Sequence, residues 1–197
     1  MIPDRIEPLD KRRSKVFIDG DFAFVLYNGE LKHYGIEEGR PLEEAKLREL
    51  AALLGRRARE RALSLLKVRD RTEWEMRQKL AGGFYPAAAV EETIAFLKEY
   101  GYLDDGRYAR NYVEICGKRK SRAELIQGLR RKGIDRHMAE ELCRECEPDT
   151  EEALAALLRK RRFDAGTASS DEKRRTAAYL MRRGFSWEEI RKALGGF

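Results

Sequence analysis

The residues that could do chemistry fall into three groups. Asp104 and Asp105 form an adjacent carboxylate pair in "GYLDDGRYARNYV" (101–113). Such a pair can hold a divalent cation or act as general acid and base, given further ligands and a pocket. No His or Glu stands nearby at ligand spacing, so the residues favour a third reading, helix capping, in which carboxylates meet the exposed N–H groups of a first turn. Cys143 and Cys146 form a C-x-x-C in "CREC". A redox pair of that kind opens a helix beside a sheet, and this one closes a helix. Zinc would need two more donors, and only Cys116 and His137 are at hand. With three cysteines and no export signal, the thiols are expected reduced and buried or half-buried, in a cytoplasmic protein without cofactors. The third group is cationic: Arg56-Arg57-x-Arg59-x-Arg61, Lys118-Arg119-Lys120-x-Arg122, Arg130-Arg131-Lys132, Arg159-Lys160-Arg161-Arg162, Lys173-Arg174-Arg175 and Arg182-Arg183. Such runs complement the C-terminal ends of helices, or track phosphates when aligned on one surface.

The whole-chain charge fits the third group best. Of 41 Lys and Arg and 35 Asp and Glu, residues 1–60 hold 12 of each, so the net charge of +6 comes entirely from the rest. A basic excess mixed with many acids suits a partner that is partly anionic, such as a protein–nucleic acid complex. No stretch approaches the ~20 apolar residues of a membrane span. G-x-G-x-x-G, Walker, H-E-x-x-H and nucleophile-elbow signatures are all missing, which argues against an intrinsic ATPase.

The elements that position these residues repeat. Thr72/Glu75, Ser121/Glu124 and Ser169/Glu172 are capping boxes, each satisfying two orphan N–H groups at a helix start. Each helix reaches Leu80, Leu129 or Leu180, spaced 49 and 51 residues apart. Each is expected to stop at Gly83, Gly133 or Gly184, followed by Phe84, Ile134 or Phe185. Helical segments flank each copy, and Ser186/Glu189 makes a fourth box. The pattern predicts three tandem three-helix repeats over 56–102, 103–147 and 148–197 in a mostly α, elongated and curved molecule. Residues 1–55 are expected to form an extension. Within it, 1–14 read as a mobile polar arm, Asp19-Gly20 turns a hairpin, and a short helix starts near Asn28 and stops at Gly35. From Leu42 one long helix or two in line follow, with Gly55 as a possible break. Trp74 and Trp187 are expected to pack on neighbouring helices, and Tyr108 and Tyr112 between repeats.

"LKEYGYLDDGRYARNYV", "ALSLLKVRDRTEWEMRQKL", "LRRKGI" and "YLMRRGFSWEEIRKAL" together resemble the RecX family, the bacterial regulators of the recombinase RecA. The resemblance covers about residues 61–195. It departs at "LAGGF", where a basic pair and one residue are missing. It implies a non-catalytic monomer that lodges in the groove of the RecA–DNA filament and opposes filament extension, ATP turnover and strand exchange. It also implies a role in DNA repair and recombination under the SOS response, and weak binding to single- or double-stranded DNA alone. The surface it points to comprises Arg119, Lys120, Arg122, Arg130, Arg131, Lys132, Arg159, Lys160, Arg161, Arg162, Lys173, Arg174, Arg175, Arg182 and Arg183. The alternative is a freestanding DNA-binding protein of helix-turn-helix-like units.

Overall fold

The computed structural model describes residues 1–196. They fall into two units, Met1–Leu103 and a second beginning at Asp104.

The first unit opens with a three-stranded antiparallel sheet in the order β1 (Pro3–Pro8), β2 (Arg13–Ile18), β3 (Asp21–Tyr27). The expected hairpin is β2–β3. Its turn residues Asp19 and Gly20 both take positive φ, 55° and 83°, as a tight two-residue hairpin loop requires. The expected mobile arm is instead β1, an edge strand that tolerates a proline at each end. Ile6 is its only apolar side chain between the prolines, too little to show alternation. Val16, Phe24 and Leu26 point to one face and are buried with Ile36, Leu50 and Leu54.

Helix α1 (Asn28–Tyr34) ends on Gly35 at φ 64°, as expected. Its N-cap is Tyr27 rather than Asn28, because the Glu30 carboxylate accepts the Tyr27 N–H at 3.0 Å. Helix α2 (Glu44–Leu66) runs unbroken through Gly55, which is buried. Its first half seals the sheet core through Leu50 and Leu54. Its second half supplies Ala62 and Leu65 to a separate cluster with Met76, Leu80, Val90, Ile94, Leu97 and Leu103, which draws on α3 (Glu73–Ala81) and α4 (Ala87–Glu99).

The second unit holds two more helical triplets, each with its own core. Helices α5 (Asp105–Gly117), α6 (Arg122–Arg131) and α7 (Arg136–Glu145) enclose Ala109, Val113, Leu125, Leu129, Ile134, Ala139, Leu142 and Cys143. Helices α8 (Thr150–Lys160), α9 (Ser170–Arg182) and α10 (Trp187–Ala193) enclose Ala153, Leu154, Leu157, Ala177, Leu180, Phe185, Ile190 and Leu194. All four capping boxes form, with both reciprocal bonds present.

Gly133 and Gly184 take φ 83° and 84° past their helices, as expected of left-handed stops. Gly83 does not. The residue missing from that loop moves the left-handed position onto Phe84, at φ 64°. Tyr108 and Tyr112 pack on the core of their own triplet rather than between repeats. Trp74 and Trp187 remain 47% exposed, where packing was expected.

Candidate nucleic-acid and partner interface

The cationic residues sort by what already holds them. In the loop between α5 and α6, Arg119 is exposed, as is Arg122 in the first turn of α6. Lys120 is half-buried. Its Nζ donates to the Tyr112 hydroxyl at 2.6 Å and lies 4.7 Å from the centre of that ring. Burial opposes the charge of Lys120, but the bond to Tyr112 prevails and raises its pKa above the ordinary lysine value. Tyr112 reaches that position because α6 carries Gly128 beneath it. A Cβ there would stand 2.1 Å from the phenol oxygen.

Arg130 and Arg131 occupy the last turn of α6, both exposed, with half-buried Lys132 capping the helix. Cations at this end complement the helix dipole and need no carboxylate partner. Arg182 is the exposed counterpart in the last turn of α9. Arg183, one residue on, is engaged. Its Nε donates to Glu124, its Nη1 donates to the Tyr179 hydroxyl at 3.1 Å, and its carbonyl accepts the Ser121 hydroxyl. The bond to Glu124 is the main cause that raises the pKa of Arg183 further. This residue joins α9 to the start of α6.

Around α8 and α9, Arg159 pairs with Glu152 at 2.7 Å and Arg174 with Asp171 at 2.8 Å, all four well exposed. Arg161 stacks its guanidinium 4.4 Å from the Tyr179 ring centre. Arg161, Arg162 and Arg175 line a cleft of about 420 Å³ together with Asp164 and Glu172. Lys160 is exposed and Lys173 half-buried. Among the described residues, Arg119, Arg122, Arg130, Arg131, Lys160, Arg162, Arg175 and Arg182 are exposed and outside any ion pair. Within the surface expected from the sequence, they are the cations best able to meet phosphate or carboxylate groups from outside. Tyr179, which holds Arg161 and Arg183, escaped the sequence reading, and Tyr112, which holds Lys120, was expected to pack between repeats instead. The i,i+4 spacing of Tyr179 and Arg183 was the available signal.

In the first unit the corresponding cations divide evenly between engaged and exposed. Arg57 makes a bidentate pair with Glu30, and Arg59 lies 5.8 Å from the centre of the Phe96 ring. Arg56 and Arg61 are exposed.

The other candidates resolve locally. Asp104 is the N-cap of α5 and accepts the Arg107 N–H at 2.8 Å, as the capping reading expects. Cys143 is buried, Cys116 and Cys146 are half-buried, and all three are free thiols. Burial pushes the Cys143 thiol up, which disfavours the reactive thiolate. No cluster of three His, Cys, Asp or Glu suited to a metal ion occurs among the described residues, and no helix there is long and apolar enough to cross a membrane.

Family models of the first, second and third three-helix domains of RecX match residues 58–97, 104–142 and 149–194, in that order. The chain belongs to the RecX family. The regulatory protein RecX of Halorhodospira halophila is 36% identical over 137 residues, covering 68% of this chain and 84% of that one. That of Clostridium acetobutylicum is 28% identical over 191 residues, covering 93% and 89%. A crystal structure of regulatory protein RecX superposes with a TM-score of 0.64 at 24% identity, covering 98% of both chains. RecX from Lactobacillus salivarius gives 0.63 at 22%, covering 73% and 96%. Those two likenesses concern the fold alone. The relatives are named as regulatory proteins, not as enzymes.

Proposed function

We propose that this RecX-family protein regulates RecA without catalysis of its own, by lodging in the groove of the RecA–DNA filament. Membership of the family is the observation that carries the reading. The mixed charge of the second unit supports it. Arg159–Glu152, Arg174–Asp171 and Arg183–Glu124 interleave acids with cations. A plain phosphate binder gains little from those acids, whereas a groove lined by protein with DNA near its axis offers partners of both signs. Arg130, Arg131 and Arg182 would reach the filament, with Arg119, Arg122, Arg162 and Arg175 beside them. Binding one filament state better than another would shift the filament toward that state and lower ATP turnover and strand exchange. The protein would act as a monomer in the cytoplasm, and its hold on naked DNA would be weaker than on the coated strand. A freestanding DNA-binding protein would instead bind naked strands with a steep salt dependence.

The test is DNA-dependent ATP hydrolysis by RecA with the protein titrated in below stoichiometry. A fall in turnover with shortened filaments is expected. Unchanged turnover and filament length would end the proposal.

A further inference from the structure

The outward face of the N-terminal sheet carries a ladder of cations and rings. Strand register puts Arg5, Phe17 and Phe22 side by side across β1, β2 and β3, with Lys15 two residues before Phe17 on the same face of β2. The Arg5 guanidinium lies 3.9 Å from the Phe17 ring centre. The Phe17 and Phe22 rings meet edge-on at 6.1 Å, and Phe22 meets Phe84 the same way at 6.1 Å. Lys15 Nζ closes the row 5.4 Å from the Phe84 ring centre.

Two features mark this row as more than packing. Phe22 is 40% exposed although it stands among other rings. Phe84 takes part at a left-handed φ of 64°, a conformation costly for a bulky residue. It occupies the "LAGGF" loop, where the basic pair of the later repeats gives way to a ring turned onto the sheet.

A cleft of about 400 Å³ adjoins the row at Phe84 and is lined also by Arg13, Arg57, Arg61, Tyr27 and Glu60. Asp10 engages Arg13, and Glu30 engages Arg57. Arg61 is exposed and has no ion pair among the described residues. Glu7 is bonded to Arg5 at 2.9 Å. Five cations, Arg5, Arg13, Lys15, Arg57 and Arg61, thus stand against four acids, Glu7, Asp10, Glu30 and Glu60, and among the described residues Lys15 and Arg61 are the two of the five outside an ion pair. Exposed rings beside cations suit a polymer that alternates flat aromatic groups with negative charges.

We propose that this face binds single-stranded DNA, with a base stacked on Phe22 and backbone phosphates led past Lys15 and Arg61. A duplex hides its base faces and would not use the ring. The site is built on the sheet, with Arg61 and Phe84 of the first triplet beside it, and needs no filament, so it goes beyond the recombinase reading.

The test is fluorescence anisotropy of a labelled oligodeoxythymidine with the full-length protein at low salt, in the absence of any recombinase. Phe22→Ala should weaken binding about tenfold, the effect of losing one stacked base, and Phe22→Trp should retain it. Lys15→Ala should reduce the salt slope by about 0.7, as expected for one phosphate contact on a single strand. Binding to a duplex of equal length should not respond to Phe22→Ala. Wild-type affinity of Phe22→Ala for the single strand, with the helical circular dichroism intact, would overturn the proposal. So would an equal loss on single strand and duplex. Loss of the ATPase effect with oligonucleotide binding retained would count against the filament reading alone, and the reverse pattern against this one alone.

Discussion

The Ser121 hydroxyl donates to the Arg183 carbonyl while accepting the Glu124 N–H at 3.1 Å. One side chain therefore caps the start of α6 and receives the end of α9, joining the two triplets of the second unit. Ser169 offers the control, since it caps α9 from an exposed position. Ser169→Ala should cost about 1 kcal/mol as a lost cap. Ser121→Ala should cost about 2 kcal/mol, because the cap goes and the carbonyl of half-buried Arg183 loses its partner too. Urea unfolding of both variants checks the difference. Equal losses would mean that the joint contributes nothing beyond the cap.

The same joint explains Gly184. A Cβ there would sit 2.5 Å from the Ala123 Cβ, at a φ of 84°. Gly101, at φ 69°, has nothing within 4 Å of its missing Cβ. Gly101→Ala should therefore show only backbone strain, about 1 kcal/mol. Gly184→Ala adds a collision between two main-chain-anchored carbons and should lower the melting temperature several degrees further. Matching melting temperatures for the two variants would contradict the close approach.

Gly128 tests the support of a cation rather than a joint. Gly128→Ala raises helix propensity by roughly 1 kcal/mol and would stabilise an open helix position. Here the new methyl meets the Tyr112 phenol, which must swing away and release Lys120. Net destabilisation is expected, together with a lysine pKa that falls toward its ordinary value as the bond to Tyr112 is lost. Thermal unfolding and NMR titration of Lys120 report the two effects, and a variant more stable than wild type would show that Tyr112 is not seated on Gly128.

What the sequence disclosed and what it hid follow from the range of the forces involved. The capping boxes are local: Thr72 and Glu75 answer each other three residues apart, so spacing alone identifies them. The glycine stops at 133 and 184 and the Asp19-Gly20 turn are equally local. Strand β1 was hidden because its partner strand, not its own composition, makes it a strand. The placement of Phe84 depended on a deletion and on Phe22, 62 positions away. Among the cationic residues, composition announced all the clusters but could not separate Arg182 from Arg183. That division comes from Glu124 and Tyr179, which only folding brings to the second of them.

Acid should expose a specific weakness in the first unit. The bond from Arg57, helped by the Tyr27 N–H and opposed by burial, holds the Glu30 carboxyl below the usual glutamate value of 4.5. A carboxylate depressed in the folded state contributes stability that is complete above its unfolded pKa and disappears as pH falls through the folded one. The Glu30–Arg57 pair should thus support attachment of α1 to α2 at neutral pH and lose that support progressively below about pH 4.5. Glu30→Gln should be less stable than wild type at neutral pH and should converge on it as the pH falls through the lowered pKa of Glu30. Chemical unfolding at several pH values, followed at both ends of that range, checks the crossover. A constant difference at all pH values would show that the charge of Glu30 is not the stabilising feature.

Neighbouring arginines provide the sharpest test of the proposed interface. Arg130, Arg131 and Arg182 are exposed in the last turns of α6 and α9, whereas Arg183 is tied to Glu124 and Tyr179. Replacing Arg130, Arg131 and Arg182 by Glu removes cations that hold no carboxylate, so little beyond dipole complementarity is lost, a few tenths of a kcal/mol each. Helical circular dichroism and melting should stay near wild type while inhibition of RecA turnover weakens by tenfold or more. Arg183→Glu should do the opposite first. It places two carboxylates together at the joint and should destabilise the second unit by about 2–4 kcal/mol before any effect on binding is reached. If the triple replacement inhibits as well as wild type, Arg130, Arg131 and Arg182 lie away from the filament, and the interface must be sought around Arg119, Arg122, Arg162 and Arg175.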